Sequence, residues 1–188
     1  MLEIVKAPNP VLSGVAKPIS KIDQQTRAFI AEMKKALLAT RDPEGVGLAA
    51  PQVGKPLQIF IIKPTKTATI RVFINPVITQ NKSEQNAEQI SVVPRKVRSR
   101  SEKLEGCLSL PHIWGIVNRT PTVTLSYMDE QGKKHTTEFK GFVATIIQHE
   151  TDHLNGILFP RRVLEQKEKL YKSKRDKNGE DIFEEIEL

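Results

Sequence analysis

The chain lacks the features by which several classes of protein are recognised. It has a single cysteine in 188 residues, which excludes a disulfide framework and fits the reducing cytoplasm. No apolar run approaches the ~20 residues that span a bilayer. The N-terminus, Met1–Pro8, has an early acid and an early proline and does not resemble a secretory signal. We therefore expect a cytoplasmic protein with no membrane partner.

Aromatic residues and internal repeats are also scarce. Aromatics make up only 5% of the chain, so we expect an aliphatic core. No repeat of about 20–50 residues is visible, which excludes solenoids and propellers. The length fits a single catalytic domain over residues 1–160, followed by a charged helix and an acidic tail over residues 161–188.

The charge balance is basic, with 29 Lys and Arg against 22 Asp and Glu and a net charge of +7. A basic surface is compatible with binding to nucleic acid or to the ribosome. A solvated surface without such a partner explains the same charge and is the more frequent case. Net charge is therefore only a weak indication of function.

Periodicity and turn residues predict an α+β fold, with antiparallel strands packed around one central helix. Asp23 is the predicted N-cap of a first helix, which residues 42–45 terminate. The central helix begins near Gly141 and ends at Asn155-Gly156. A charged C-terminal helix is predicted from about Val163 to Lys174, and residues 79–103 are predicted to form a long basic loop or ribbon. Strands are predicted at about Gln58–Ile62, Ile70–Ile74, Ile116–Asn118, Val123–Tyr127 and His135–Phe139.

The central helix carries the pattern H-E-x-x-H, at residues 149–153. At 3.6 residues per turn, His149 and His153 lie about 40° apart on one helix face. Two imidazoles placed in this way can bind one divalent cation, and Glu150 beside them can act as general base. The pattern therefore predicts a catalytic metal site.

An open catalytic metal site needs a third protein ligand. The extended pattern with a third histidine fails, because Phe159 stands at that position. Glu165 and Glu168 are available downstream, but they lie in a segment with the composition of an exposed charged helix. Beside an H-E-x-x-H pattern that lacks its usual third ligand, we favour the lone cysteine, Cys107, over its alternative role as a small buried hydrophobic residue.

The glycine-rich segment Gly45–Ala50 matches the dinucleotide-binding pattern G-x-G-x-x-A. The context excludes that interpretation, because a helix precedes the segment and Pro51 blocks a helix after it. The glycines indicate instead a close approach of the backbone to a ligand. Gln52, which follows them, could donate to an oxyanion or could be an ordinary surface amide.

Three segments together resemble, in their order, the three signature motifs of the peptide deformylase family. The segments are Gly45-Val46-Gly47-Leu48-Ala49-Ala50-Pro51-Gln52, Glu105-Gly106-Cys107-Leu108-Ser109 and Gln148-His149-Glu150-Thr151-Asp152-His153-Leu154. The resemblance covers about residues 2–160, and Leu108 resembles the bacterial form of the second motif. It implies removal of the formyl group, as formate, from the N-terminal formyl-methionine of new polypeptides.

The resemblance also implies roles for individual residues. Glu150 would be the acid and base, and the Gln52 side chain and the Leu108 N–H would bind the oxyanion. The metal would be ferrous iron, which zinc, nickel or cobalt can replace. The implied metal ligands are Cys107, His149 and His153.

For the substrate, the resemblance implies strand-like pairing with the backbone of Val46, Gly47 and Gly106. Arg119 matches a basic position near the rim that faces the substrate. Methionine's flexible thioether suits an adaptable apolar pocket. The predicted walls of that pocket are Val46, Thr145 and Ile146.

Two stretches depart from the family pattern. Residues 80–103 are longer than the corresponding bacterial loop, and residues 178–188 are acidic where a basic helix would end. Both bear on partners and oligomeric state more than on chemistry. The expected partners are nascent formyl-methionyl polypeptides and the ribosome, the latter through the basic segments Arg95–Lys103 and Arg161–Arg175, with no DNA.

Two other functional classes fit part of the sequence. The H-E-x-x-H pattern alone fits a metallopeptidase, which would cleave internal peptide bonds and tolerate Cys107→Ser. The positive charge alone fits a ribosome- or RNA-binding module without catalysis, whose salt-sensitive binding would survive Glu150→Ala.

Overall fold

The computed structural model describes residues 2–41, 44–82, 104–175, 177 and 181–187. Most of the predicted basic loop at 79–103 lies outside the described residues. The three helices of the described part are α1 (Gln24–Ala39), α2 (Gly141–Leu154) and α3 (Phe159–Glu165). The strands are β1 (Gly47–Ala49), β2 (Ile59–Ile62), β3 (Arg71–Lys82), β4 (Leu104–Cys107), β5 (Leu110–Ile116), β6 (Thr122–Met128), β7 (Lys134–Lys140), β8 (Leu170–Arg175) and β9 (Asp181–Glu185).

The strands form two antiparallel sheets, in the orders β1-β2-β3-β6-β7 and β4-β5-β8-β9. The predicted α+β class is therefore confirmed. In the described part of the chain, β1 and β4 are edge strands. Because an edge strand leaves a row of backbone groups unpaired on one side, both can accept a further strand. Both edges lie at one cavity, which Gly47 of β1 and Gly106 of β4 line.

Helix α2 packs its apolar face into the main core. Ala144, Ile147 and Leu154 are buried there with Phe60 and Phe73 of the first sheet. The two phenylalanine rings stack with their centroids 4.8 Å apart. The predicted bounds of this helix are confirmed, because it begins at Gly141 and ends at the C-cap Asn155, followed by Gly156 at φ 69°. Burial of this face fixes which side of α2 meets the substrate.

Helix α1 closes a second cluster against the same sheet. Asp23 is its N-cap as predicted, with a side-chain oxygen that accepts from the Thr26 N–H at 2.8 Å. Its buried residues Ile30, Met33 and Leu37 pack with β1 and β2. Strand β1 is therefore packed on both faces, by the main core on one and by α1 on the other.

The prediction of a charged helix from Val163 to Lys174 is wrong beyond residue 165. Helix α3 ends at Glu165, and Lys167 takes a left-handed φ of 57°. Strand β8 then pairs with β5 and β9, with Tyr171 and Ser173 buried on either side of exposed Lys172. Alternation with a period of two is the strand pattern, but the many lysines concealed it. The division of the chain at residue 160 stays a prediction.

Two predicted strands also have different bounds. Strand β3 does not end at Asn75-Pro76 but continues through a register shift between Ile74 and Val77. A bulge tolerates proline, because the missing N–H is not needed in the ladder there. Strand β5 runs over Leu110–Ile116, earlier than the predicted Ile116–Asn118. None of the described helices is long and apolar enough to cross a membrane.

Candidate active site

The two histidines of α2 face one another across one helical turn. The ring centroids of His149 and His153 are 5.0 Å apart. Cys107, at the end of β4, places its Sγ 3.2 Å from His153 Nε2. One ligand atom from each of the three residues lies within 4.8 Å of the others. The fold thus brings the sulfur of Cys107 next to two ring nitrogens that lie more than forty positions further along the chain.

These donors fit a divalent metal ion. His149 Nδ1 is 3.1 Å from Glu105 Oε2, which leaves its Nε2 available for a cation. Thiolate and imidazole are the ligands that zinc and first-row transition metals prefer. Burial alone would raise the pKa of the Cys107 thiol, but His153 and His149 outweigh it and hold that pKa well below its usual range. The cysteine is therefore set to act as a thiolate ligand.

The alternative third ligands lie elsewhere. Glu165 accepts from Arg161 and Arg162, and Glu168 accepts from Asn118. Phe159, at the position where a third histidine would stand, stacks on His149 with centroids 6.2 Å apart. In the described part of the chain, the group of residues that could hold a metal ion consists of Cys107, His149 and His153.

Glu150 lies beside the donors and is buried, with 3% of its surface exposed. Burial raises the pKa of its carboxyl to about 7, against the opposing effect of His149 and His153. Its Oε2 is buried and has no hydrogen-bond partner among the residues that the structure describes. Gly47 of β1 covers it so closely that an added Cβ would lie 2.2 Å from Oε1. A buried, unpartnered carboxyl of this kind is suited to accept and release a proton.

Gln52 is held in one orientation by its neighbours. Its Oε1 accepts from the Ala49 N–H at 2.8 Å, so its Nε2 must point the other way. Nε2 lies 3.4 Å from Cys107 Sγ and 3.4 Å from Ser109 Oγ. The side chain is 1% exposed, so the alternative of a surface amide is wrong. A fixed donor pointing at the metal donors can meet negative charge that develops there.

A cavity of about 710 Å³ opens onto these groups. Leu108 lines it from the two-residue turn between β4 and β5. The predicted substrate-binding residues also line it, and they come from β1 and the residue before it, from β4, from the segment between β5 and β6, and from α2. They are Val46, Gly47, Gly106, Arg119, Thr145 and Ile146.

Arg119 lines the cavity, and two carboxylates hold its guanidinium group; its contact with the substrate stays a prediction. Its Nε and Nη2 donate to Glu105 at 2.9 and 3.0 Å, and its Nη1 donates to Asp152 at 2.6 Å. The side chain is only 8% exposed. Burial alone would lower the pKa of Arg119, but the two carboxylates raise it. A single basic residue carries no local sign of acids that lie 14 and 33 positions away.

The sequence did not predict two aromatic residues that line the cavity, Phe142 and Trp114. Phe142, on the first turn of α2, lines the cavity and is 58% exposed. An apolar aromatic on the polar side of an amphipathic helix is the signal that could have identified it. Trp114 on β5 also lines the cavity, and its position follows only from strand pairing.

An H-E-x-x-H helix whose histidines meet a cysteine at the base of a cavity defines an enzyme of the metal-dependent hydrolase class. Comparison with known proteins supports this class of enzyme. The family model for polypeptide deformylase matches residues 1–169. Peptide deformylase from Treponema pallidum (strain Nichols) is 40% identical over 158 residues, covering 84% of this chain and 85% of that protein. The Brucella suis enzyme is 37% identical over 159 residues, covering 83% of this chain and 81% of that protein.

Solved structures show the same relationship. A peptide deformylase from Synechococcus elongatus in complex with actinonin has a TM-score of 0.70 at 35% identity, covering 86% of this chain and 78% of that one. A Met-Ala-Ser-bound class I type b peptide deformylase from Acinetobacter baumannii has a TM-score of 0.69 at 31% identity, covering 86% of this chain and 98% of that one. The chain belongs to the polypeptide deformylase family.

Membership makes the chain a metal-dependent enzyme that removes the formyl group from nascent formyl-methionyl polypeptides. The alternatives of a metallopeptidase and of a non-catalytic RNA-binding module are not favoured. Because the family model and the three motifs agree, the resemblance inferred from the sequence is confirmed.

Proposed function

We propose that Cys107, His149 and His153 hold one ferrous ion, which zinc, nickel or cobalt can replace. The observation that carries the proposal is that the three donors lie together and that Gln52 and Glu150 line the same cavity as Cys107 and His149. When bound, such a cation supplies Lewis acidity, which makes water acidic enough to serve as a nucleophile at neutral pH.

Glu150 moves the proton in this proposal. Its unpartnered Oε2 accepts the proton that the attacking water loses and delivers it to the amine of the departing methionine. Its pKa of about 7 in the metal-free protein lies near the operating pH. The carboxyl lies against β1, in the space that a side chain at residue 47 would fill. Glycine at this position therefore leaves the carboxyl its place beside the reacting atoms.

Gln52 and Leu108 stabilise charge on the formyl oxygen. Gln52 Nε2 is preorganised by the Ala49 hydrogen bond and needs no reorientation when the charge forms. One donor of this kind is worth about 3 kcal/mol in the transition state. The Leu108 N–H belongs to a turn that the N-terminal segment holds, since Lys6 Nζ donates to the Leu108 carbonyl and the Ala7 N–H to that of Ser109.

The substrate binds as an added strand between two sheet edges. Gly47 on β1 and Gly106 on β4 line the cavity, and each belongs to an edge strand. The side chain of the formylated methionine lies against Val46, Thr145 and Ile146. The Met-Ala-Ser complex of the Acinetobacter baumannii enzyme, a relative at 31% identity, supports a peptide bound in such a site.

Formate release tests these roles. Protein purified anaerobically and analysed for metal should release formate from formyl-Met-Ala-Ser. Glu150→Gln should lower kcat by at least 10²-fold at unchanged metal content, while Glu184→Gln, an exposed acid on β9, serves as the control. Full activity in Glu150→Gln would contradict the assigned role. Unchanged metal content in Cys107→Ser would contradict the ligand set.

We also propose a cytoplasmic location, because a lone reduced cysteine suits a reducing compartment. Contact with the ribosome stays a prediction. Residues 95–103 lie outside the described residues, and in the second basic segment Arg161 and Lys169 pair with Glu165 and Glu185. Ribosome binding that is unchanged after charge reversal in both segments would contradict it.

A further inference from the structure

The N-terminal segment joins the two parts of the chain that carry the proposed oxyanion donors. The Val5 N–H donates to the main-chain carbonyl of Gln52 at 2.8 Å, and the Ala7 N–H donates to the carbonyl of Ser109 at 3.0 Å. Gln52 and Ser109 lie 57 positions apart in the chain. Because a step of two residues spans at most about 7 Å, the two bonds keep these distant parts of the chain close together.

Lys6 lies between the two bonded residues and adds a third bond. Its Nζ donates to the carbonyl of Leu108, the residue whose own N–H is a proposed oxyanion donor. Leu108 and Ser109 form the turn between β4 and β5, which the pairing of Cys107 with Leu110 closes. Each peptide unit of this short turn is planar, so binding its carbonyls also restricts the direction of its N–H groups.

Gln52 is held by the same segment through its backbone. Its main-chain carbonyl accepts from Val5, while its side-chain Oε1 accepts from the Ala49 N–H at 2.8 Å. Its Nε2 lies 3.4 Å from Ser109 Oγ, so the two parts that carry the donors also meet directly. Oxyanion donors are effective when their distance and direction suit the oxygen before its charge develops. The placement of Gln52 relative to Leu108 is therefore the quantity that the N-terminal segment controls.

We propose that residues 5–7, which we call the N-terminal strap, set the geometry of the oxyanion site, and that Lys6 is a positioning residue for the reaction. This inference rests on the proposed roles of Gln52 and Leu108. Lys6 acts from outside the described lining of the cavity, through the turn at Leu108. Its residue is exposed and its bond is made to a neutral carbonyl. Loss of that bond should therefore weaken stabilisation of the transition state while the protein stays folded and keeps its metal.

Steady-state kinetics with formyl-Met-Ala-Ser tests the role of Lys6. Lys6→Met keeps the aliphatic stem and removes the donor. It should lower kcat about fivefold to tenfold, a part of the ~10²–10³-fold that loss of a whole oxyanion donor costs. KM should stay unchanged, because the bond matters only in the transition state. Lys6→Arg, which restores a donor, should recover most of the lost kcat.

Lys63→Met is the matched control. Lys63 Nζ also donates to a main-chain carbonyl, that of Lys66 at 2.8 Å, so the two variants remove the same kind of bond. In both variants the metal content should equal that of the parent protein. The thermal unfolding midpoint should move by less than about 2 °C, as for other surface substitutions.

A second measurement does not depend on turnover. In the zinc-loaded protein, NMR relaxation of the backbone amides reports on the Leu108 N–H directly. In Lys6→Met its resonance should shift and its order parameter should fall below the value of about 0.85 that is typical of rigid backbone. In Lys63→Met neither should change.

Three results would overturn the inference. They are a kcat of Lys6→Met equal to that of Lys63→Met, a loss of activity in Lys6→Met that follows from metal loss or unfolding, and a Leu108 amide whose resonance and order parameter are both unchanged. If the parent protein releases formate and Glu150→Gln does not, the proposed function stands in each of these cases. If the parent protein releases no formate, the proposed function fails, and the NMR result still decides whether Lys6 orients the turn.

Discussion

His149 Nδ1 lies 3.1 Å from Oε2 of Glu105, so a proposed metal ligand on helix α2 is held by a carboxylate from strand β4. Glu105 is held in turn by Arg119, which also donates to Asp152 on α2. Asp152 accepts two further hydrogen bonds from Arg162 on α3, at 2.7 and 3.1 Å. A series of alternating charges thus runs from Arg162 on α3 to His149, a proposed metal ligand.

This series of charged side chains predicts that Glu105 slows the loss of the bound metal. Glu105→Gln keeps the size of the side chain but weakens its bond to His149, and outer partners of metal-binding histidines affect affinity by about 10–100-fold. We expect metal to be lost to a chelator faster by a factor in that range. The control is Glu168→Gln, an exposed acid that accepts from Asn118. Equal rates of metal loss in the two variants would contradict the prediction.

Asp152 should contribute stability that depends on pH. Burial would raise the pKa of Asp152, but Arg162 and Arg119 lower it below its usual range. Its stabilising effect is therefore fully present above the unfolded pKa of about 3.9 and is lost as the pH falls through the folded value. Asp152→Asn should destabilise the metal-free protein by about 3 kcal/mol at pH 7.

Urea unfolding at pH 7 and at pH 3 measures this effect. The difference between Asp152→Asn and the parent protein should shrink at pH 3, which lies below the unfolded pKa of Asp152. Glu165→Gln, which removes an exposed partner of Arg162, should cost less than about 1 kcal/mol. A destabilisation by Asp152→Asn that is the same at both pH values would contradict the assignment.

Gly47→Ala should affect catalysis more than stability. The added Cβ would lie 2.2 Å from Glu150 Oε1, so the carboxyl must move. A misplacement of about 1 Å can cost about 10²-fold in rate, and we expect a loss of that order in kcat. Gly14→Ala is the matched control, because its Cβ would meet no atom closer than 3.9 Å. Steady-state kinetics with metal content determined in parallel would check this, and equal kcat in both variants would contradict it.

A cysteine among the proposed metal ligands predicts that the enzyme is sensitive to oxygen. Cys107 is 5% exposed and has a lowered thiol pKa, and oxidation of a thiolate ligand releases its metal. Iron-loaded enzyme should lose activity in air faster than nickel- or zinc-loaded enzyme. Activity and free thiol followed over time in air provide the measurement. Identical half-lives for the iron and nickel forms would argue against an iron-dependent route.

Local signals in the sequence identified the chemistry. The H-E-x-x-H spacing, Asp23 and Asn155-Gly156 each act within a turn or two of helix, so the periodicity and the capping rules predict them directly. The charged segment after Val163 was wrongly predicted as a helix, because lysine-rich helices and lysine-rich edge strands have the same composition. The strand at β8 exists because β5 and β9 flank it, and no local pattern states that pairing.

By itself the sequence determined α2 and the spacing of His149 and His153, because a helix places residues four positions apart on one face whatever surrounds it. It also indicated Cys107, by the failure of the other candidates. Only the tertiary structure decided that Arg119 is buried between Glu105 and Asp152 and that Trp114 lies over Gly106. Those contacts join segments that meet through strand pairing and helix packing. Contacts of this kind between distant segments produce no periodic pattern in the amino-acid sequence.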